Sequence, residues 1–194
     1  MLDEKIKDVI ESLGVREIAR RMLATNGVDS LLSTIGILNG TLNATHLKDP
    51  NVYLSSVLGG AISLGLLSGF VGVYITERTE RLKELNRIEK AMAKKLTKSL
   101  YAKAINYASI YVALWSLIGS LLLPMLSLIP IALSKMGLIE TDRAVILSIL
   151  IAHLELLVIG LVLGGKKKFN VALQYLALGI AATLISTMLG NVIG

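Results

Sequence analysis

Five apolar runs, each about twenty residues or longer, constrain the fold of this chain more than any other feature. One helix of that length can cross about 30 Å of hydrocarbon. The charged residues fall in blocks between these runs. The runs lie at residues 22–42, 55–75, 105–133, 144–163 and 171–193. We therefore predict an all-α integral membrane protein, with a five-helix bundle in residues 22–194.

Composition supports a membrane protein and excludes several other classes. Hydrophobic residues make up 54% of the chain, and the mean hydropathy of +0.68 is well above that of ordinary soluble domains. Cysteine is absent, which excludes disulfides, thiolate metal sites and cysteine nucleophiles. The net charge of +6 would suggest nucleic acid in a soluble chain, but here the basic residues lie between spans. There they set topology and meet anionic lipid headgroups, so we expect a lipid bilayer and no nucleic acid as partner.

The distribution of basic residues predicts the orientation. If the N-terminus is cytoplasmic and there are five spans, all but three of the 20 Lys and Arg residues lie on the cytoplasmic side. The three exceptions are Lys48, Lys135 and Arg143. Because basic loops stay inside, this imbalance favours a cytoplasmic N-terminus and an odd number of spans.

Two cytoplasmic segments complete the predicted domain organisation. In residues 1–21, apolar residues at helical spacing predict an amphipathic helix. This segment lacks the apolar core and cleavage site of a secretory signal peptide, so we expect a multi-pass protein of a prokaryotic cell membrane. After the second run, the helical pattern continues without Gly or Pro, which predicts that the second span extends into the cytoplasm as a charged helix within a helical insertion at 77–103.

Asp29 is the first candidate functional residue because it places a carboxylate inside the first apolar run. Such an acid costs about 2.5–3.5 kcal/mol at the centre of a membrane, so it normally faces the bundle interior and has a partner or a function. Asn26 and Ser33 share its helix face by spacing. Carboxylate, amide and hydroxyl oxygens suit hard divalent cations, so these three residues form a candidate metal site. The alternative is an acid that only stabilises helix packing.

Glu155 is the second acid at membrane depth, and no basic residue lies within one helical turn of it. It is either a proton or cation site or a protonated structural acid. His153 is two residues away, about 200° around the helix, so the two side chains cannot chelate one ion. A packed or lumen-facing histidine is the favoured interpretation of His153.

Four glutamates in the charged insertion form a third candidate set. Three of them recur at i, i+3 and i+7, which places them on one helix face. They could collect cations at the cytoplasmic mouth, or pair with basic neighbours on a solvated helix. The glutamates are Glu77, Glu80, Glu84 and Glu89, and the neighbours are Arg81, Lys83 and Arg87.

Small residues in the second run predict close helix packing. Gly65 and Gly69 are four residues apart, and Gly72 continues a similar pattern between Ser68 and Thr76. Such spacing lets another helix approach at backbone distance. We therefore predict packing contacts at Gly65, Gly69 and Gly72 and a central position for the second span.

These segments resemble the vacuolar iron transporter family. Residues 27–34 (Gly-Val-Asp-Ser-Leu-Leu-Ser-Thr) resemble its first-span motif Asn-Asp-Gly-Leu-Val-Ser-Thr, with Asp29 on the metal-handling aspartate. The segments 61–63, 68–76, 77–89, 163–165 and 171–179 carry the rest of the likeness. The resemblance implies a homodimer with a cation path along its interface, exporting iron or manganese in exchange for protons. Gly69 and Val73 stand where the family carries Met and Glu, and the cytoplasmic insertion is shorter than in members with a full metal-binding domain.

Two functional hypotheses remain open. The first is a secondary transporter that exports Fe²⁺ or Mn²⁺ as its substrate, without a tightly bound cofactor. The second, motivated by Gly69 and Val73, is a non-transporting membrane module whose 77–103 segment binds a cytosolic partner or anionic lipid. No hydrolase, zincin or P-loop motif occurs, so we do not expect an enzyme.

Overall fold

The computed structural model describes residues 14–45, 49–96 and 99–193, and their regular secondary structure is helical. Its elements are α1 (Val15–Thr45), α2 (Pro50–Ser63), a π-helical segment (Leu64–Gly72), α3 (Val73–Met92), α4 (Leu100–Ser127), α5 (Ile129–Lys135), α6 (Thr141–Leu163), a 3-10 turn (Gly165–Lys167) and α7 (Lys168–Ile193). The predicted all-α class is confirmed for these residues. The predicted helix at 1–21 falls mainly on residues 1–13, which lie outside the described part, while residues 15–21 form the first turns of α1.

Four helical stretches among the described residues are long and apolar enough to cross a membrane, which supports a multi-pass membrane protein. They are Pro50–Met92, Leu100–Ser127, Thr141–Leu163 and Gly165–Val192. The 31-residue helix α1 is not among them. Its polar residues Asn26, Asp29 and Asn39 lower the hydropathy of an otherwise apolar segment.

Helix α1, instead of the second predicted span, lies at the centre of the single chain. It packs against α2, α4, α6 and α7. Its buried residues Leu31, Ile35 and Leu38 belong to a core that includes Tyr53 of α2 and Leu156 of α6. The stretch Pro50–Met92 is more peripheral, so the prediction of a central second span was wrong for the isolated chain. Apolar content indicated membrane burial, but it did not distinguish burial in protein from exposure to lipid.

The second span and the charged helix form one continuous helical stretch over Pro50–Met92. Asp49 caps its start, accepting from the Asn51 backbone N–H, and Pro50 occupies the first turn. At about 1.5 Å per residue, these 43 residues extend roughly twice the thickness of the hydrocarbon. The stretch ends at Ala93, whose φ is 47°. The charged half therefore projects beyond the apolar layer.

Proline divides the third apolar run into two helices. Pro124 lies in the last turn of α4, and Pro130 lies in the first turn of α5. The helix is interrupted at Leu128, because Pro130 has no backbone N–H to continue the helical hydrogen-bond pattern. The predicted span 105–133 is therefore most of α4 followed by the short helix α5.

The N-terminal end of α1 and the turn between α6 and α7 lie at the same end of the bundle. Arg20 and Arg21 line a cleft together with Leu163 and Tyr175. At that end, Val15 and Ala19 pack in one apolar cluster with residues 108 and 112 of α4. The lysines at 166–168 follow Leu163 directly, so two basic segments that are distant in sequence share one end of the molecule.

Candidate functional site

The apolar segments contain two acids and no basic residue apart from one histidine. Asp29 lies on α1, while His153 and Glu155 lie on α6. No Lys or Arg occurs in the segments 22–45, 50–76, 104–134, 144–163 and 169–193. A charged acid at this depth is costly unless it is paired or protonated or holds a cation. Asp29 and Glu155 therefore dominate the electrostatics of the membrane region.

Asp29 lies on the exposed side of α1, at the middle of the helix. Among the described residues, its carboxylate has no hydrogen bond or ion pair within the chain. The same side of α1 carries Gly36 and Gly40, at which an added Cβ would meet nothing within 4 Å. The Asp29 side chain thus lies at the surface of the single-chain bundle, on a side of α1 that also carries two glycines.

The Asn26 side chain points towards α4 and hydrogen-bonds to it. Its Nδ2 donates to Ser116 Oγ at 2.7 Å and to the backbone oxygen of Met22 at 3.1 Å. Ser33 is half-buried one turn beyond Asp29. The single chain therefore places Ser33 and Asp29 on neighbouring turns, while the Asn26 amide stabilises the contact between α1 and α4.

Hydroxyl groups continue this contact between α1 and α4. Ser30 Oγ donates to the backbone oxygen of Ser120 at 2.7 Å, and Thr34 Oγ1 donates to the backbone oxygen of Ser30 at 2.8 Å. Both side chains are buried. These bonds fix the rotation of α1, and that rotation leaves Asp29 on the outer side.

Glu155 has the opposite environment. Both of its carboxylate oxygens are buried, and neither has a hydrogen-bond partner among the described residues. Ser148, two turns earlier on the same face of α6, also has a buried hydroxyl without a partner. Buried polar atoms almost always have partners, so these two groups on one helix face call for an explanation.

His153 contacts α7 on the other side of α6. Its Nδ1 donates to the backbone oxygen of Ile149 at 2.7 Å, and its Nε2 lies 3.3 Å from Thr183 Oγ1. The ring also lies against Gly179, where an added Cβ would be 2.9 Å from His153 Cδ2. The packed interpretation of His153 agrees with these contacts, and the side chain does not hydrogen-bond to Glu155.

Asn39 joins α1 to α7 in a polar contact that the sequence analysis missed. Its Nδ2 lies 2.9 Å from the backbone oxygen of Thr183 and from Ser186 Oγ, and 2.5 Å from Thr187 Oγ1. Because Thr183 also contacts His153, this network links α1, α6 and α7. The signal that could have found it is an asparagine in an apolar run opposite a run rich in Ser and Thr.

The four glutamates of the charged segment that follows the second apolar run make local contacts or are exposed in the single chain. Glu77 Oε1 is 2.5 Å from Nη2 of the buried Arg81, and Glu80 Oε1 is 2.7 Å from Lys83 Nζ. Glu89 Oε1 accepts from the backbone N–H of Leu96 at 2.6 Å. Glu84 is exposed. Within the described ranges, no three His, Asp or Glu side chains gather closely enough to hold a metal ion.

Two of the three predicted packing glycines contact α4. An added Cβ at Gly65 would lie 2.9 Å from Leu121 Cδ2, and one at Gly69 would lie 2.9 Å from Ser120 Oγ. At Gly72 the nearest atom is the backbone oxygen of Leu67 in the same helix, at 3.4 Å. Gly65, Gly69 and Gly72 all lie in the π-helical segment, a local geometry that often marks functional sites and that the sequence pattern did not indicate.

No protein-family model matches this chain, and no curated protein matches it.

Proposed function

We propose that this chain is a five-span secondary transporter that exports Fe²⁺ or Mn²⁺ from the cytoplasm, acting as a homodimer with Asp29 at its interface. The observation that carries the proposal is the exposed, unpartnered carboxylate of Asp29 at the middle of α1. The resemblance to vacuolar iron transporters supports the same assignment. In this proposal α1 is the first span and the N-terminus is cytoplasmic.

A second copy of the chain explains why Asp29 can be exposed on the single chain. A carboxylate facing lipid is unfavourable by several kcal/mol, so the surface around it needs a protein or water cover. Gly36 and Gly40 leave open space on this side of α1, which lets another helix approach closely. Two copies related by a two-fold axis would bring two Asp29 side chains and two Ser33 side chains together.

Such an interface has the chemistry of a divalent metal site. Fe²⁺ and Mn²⁺ accept carboxylate, hydroxyl and water oxygens, and one chain alone supplies too few of them at Asp29. Two carboxylates across an axis would also balance the charge of one divalent ion. Because no Lys or Arg lies in the apolar segments, no fixed basic side chain competes with the ion there.

The charged helix α3 would serve as the cytoplasmic entrance. Glu84 is exposed, and Glu80 shares an exposed pair with Lys83. Exposed pairs are weak, so a divalent ion can displace Lys83 from Glu80. Glu77 is paired with Arg81, and Glu89 accepts a hydrogen bond from the Leu96 backbone N–H. Both carboxylates would still contribute negative electrostatic potential to the entrance. The two basic segments at one end of the molecule favour a cytoplasmic location for that end. The membrane in this proposal is a prokaryotic cell membrane.

Metal flux into proteoliposomes tests the proposal. Asp29→Asn removes the charge of the side chain and keeps its shape. Mutation of a residue that only orients a metal ligand already lowers metal affinity or activity by about 10- to 100-fold, so we expect Mn²⁺ uptake to fall at least that much. Asp142→Asn, the same change at an exposed residue in the first turn of α6, is the matched control and should keep wild-type uptake. Equal uptake by the wild type and Asp29→Asn would remove Asp29 from the metal path.

A non-transporting membrane module is the second candidate. The contacts that occupy Glu77, Glu80 and Glu89 favour it, because they leave α3 as a charged helix able to bind a partner or anionic lipid. If Mn²⁺ neither crosses the membrane nor raises the unfolding temperature, while the protein binds anionic vesicles through residues 77–103, this second function replaces the first.

A further inference from the structure

We propose that Glu155 carries the proton that is exchanged for the metal ion. This inference rests on the proposed function and assigns a residue to its coupling step. In each cycle the neutral carboxyl group releases one proton on the cytoplasmic side and, as a carboxylate, takes up one proton from the other side. The metal ion moves in the opposite direction past Asp29.

The surroundings of Glu155 suit a proton better than a metal ion. Fe²⁺ or Mn²⁺ needs several oxygen ligands, and among the described residues Glu155 belongs to no cluster of three or more His, Asp or Glu side chains that could hold such an ion. The unpartnered hydroxyl of Ser148 is two helical turns away on the same face, at about 1.5 Å per residue too far to share an ion. A proton requires no further ligand.

No charged group within the described part of the chain compensates Glu155. The helices that pack against α6 are α1, α4, α5 and α7. On α6 itself, His153 is turned to Ile149 and Thr183, and Asp142 and Arg143 lie at the far end. None of the other ionisable groups on these helices hydrogen-bonds to Glu155. They are Arg16, Glu17, Arg20, Arg21 and Asp29 on α1, Tyr101, Lys103, Tyr107 and Tyr111 on α4, Lys135 on α5, and Lys168 and Tyr175 on α7.

Burial without compensation makes the carboxylate form unfavourable. An isolated charge in an apolar interior usually binds a proton instead of remaining charged. Glu155 is therefore neutral at rest and loses its proton only when a conformational change brings water or a cation to it. That dependence on conformation is what a coupling residue needs, and the exposed Asp29 lacks it.

Simultaneous measurement of metal and proton flux tests the assignment. Proteoliposomes carry an internal Mn²⁺ dye and an internal pH dye, and Mn²⁺ is added outside. In the wild type, Mn²⁺ entry should be accompanied by proton exit. In Glu155→Gln, downhill Mn²⁺ entry should continue while the coupled proton exit is lost. Glu140→Gln, at the exposed cap of α6, is the matched control and should keep both fluxes.

Infrared difference spectroscopy on the purified protein gives a readout independent of transport. We expect the carbonyl band of a protonated carboxylic acid at neutral pH in the wild type and in Asp29→Asn, and its loss in Glu155→Gln. If Glu155→Gln does not fold, Glu155→Asp keeps a carboxyl group, and the band should remain with a shifted position.

The outcomes separate this inference from the proposed function. Unchanged proton exit in Glu155→Gln, or a wild type without the band, overturns the role of Glu155 and leaves the role of Asp29 intact. A wild type that moves no Mn²⁺ overturns the proposed function together with the coupling. A wild type that moves Mn²⁺ without any proton flux overturns the coupling alone.

Discussion

At the scale of single residues, Gly119 determines how closely α1 can approach α4. An added Cβ there would overlap the backbone carbonyl of Leu23. This contact lies beside the bonds that Asn26 and Ser30 make to α4. The close approach and the hydrogen bonds together fix the rotation of α1, which in turn places Asp29 on the outer surface.

Gly119→Ala should therefore lower the stability of the folded protein. The Leu23 carbonyl belongs to a helix and cannot move alone, so we expect the free energy of unfolding to fall by about 1–3 kcal/mol, as for other overpacked sites. Thermal unfolding in detergent, followed by the fluorescence of Trp115, the only tryptophan, measures the effect. Gly59→Ala is the control, because nothing lies within 4 Å of its added Cβ. Equal stability of both variants would contradict the close contact.

Residue types predicted the candidate acids, but they did not predict the direction in which each points. Asp29 and Glu155 stand out in the sequence because charges are rare at membrane depth. The grouping of Asn26 with Asp29 used helical spacing alone, whereas the Asn26 amide hydrogen-bonds to Ser116, 90 residues away. Sequence spacing carries no information on such a distant partner, so it could not show that Asp29 and Asn26 serve different surfaces.

At the scale of secondary structure, α1 has two distinct sides. One side is buried against α4, α6 and α7 through residues such as Leu31, Ile35 and Leu38. The other side carries Asp29, which is exposed, and Ser33, Gly36 and Gly40, which are partly buried in the single chain. A helix with a polar, small-residue outer side fits protein contact better than lipid contact.

Cysteine cross-linking tests whether a second copy covers this side. The chain contains no cysteine, so Ser33→Cys introduces a single thiol one turn from Asp29. Near a two-fold axis, two such thiols can meet the distance a disulfide requires, and we expect a covalent dimer after oxidation in native membranes. Leu154→Cys, on a residue of α6 that is 60% exposed, is the control and should stay monomeric. A monomer for Ser33→Cys, or equal cross-linking at both positions, would contradict the interface.

At the scale of the whole molecule, the sequence predicted the helical class and the approximate limits of four apolar spans, because length and hydropathy depend on local composition. The predicted centre of the bundle was wrong. The small residues of the second span and the polar residues of the first span pack against helices that are distant in sequence, and local composition does not show which helices these are. The resulting arrangement has one exposed acid, Asp29, one acid whose carboxylate oxygens are buried, Glu155, and no Lys or Arg in the apolar segments.

The central claim is that two Asp29 side chains hold a divalent ion between two copies of the chain. Anomalous diffraction at the manganese absorption edge, from crystals grown with Mn²⁺, tests it most directly. The claim predicts a peak on the two-fold axis between the Asp29 carboxylates, and no such peak in crystals of Asp29→Asn. A wild-type map with no manganese beside Asp29, or with Asp29 facing lipid in the assembled protein, would contradict it.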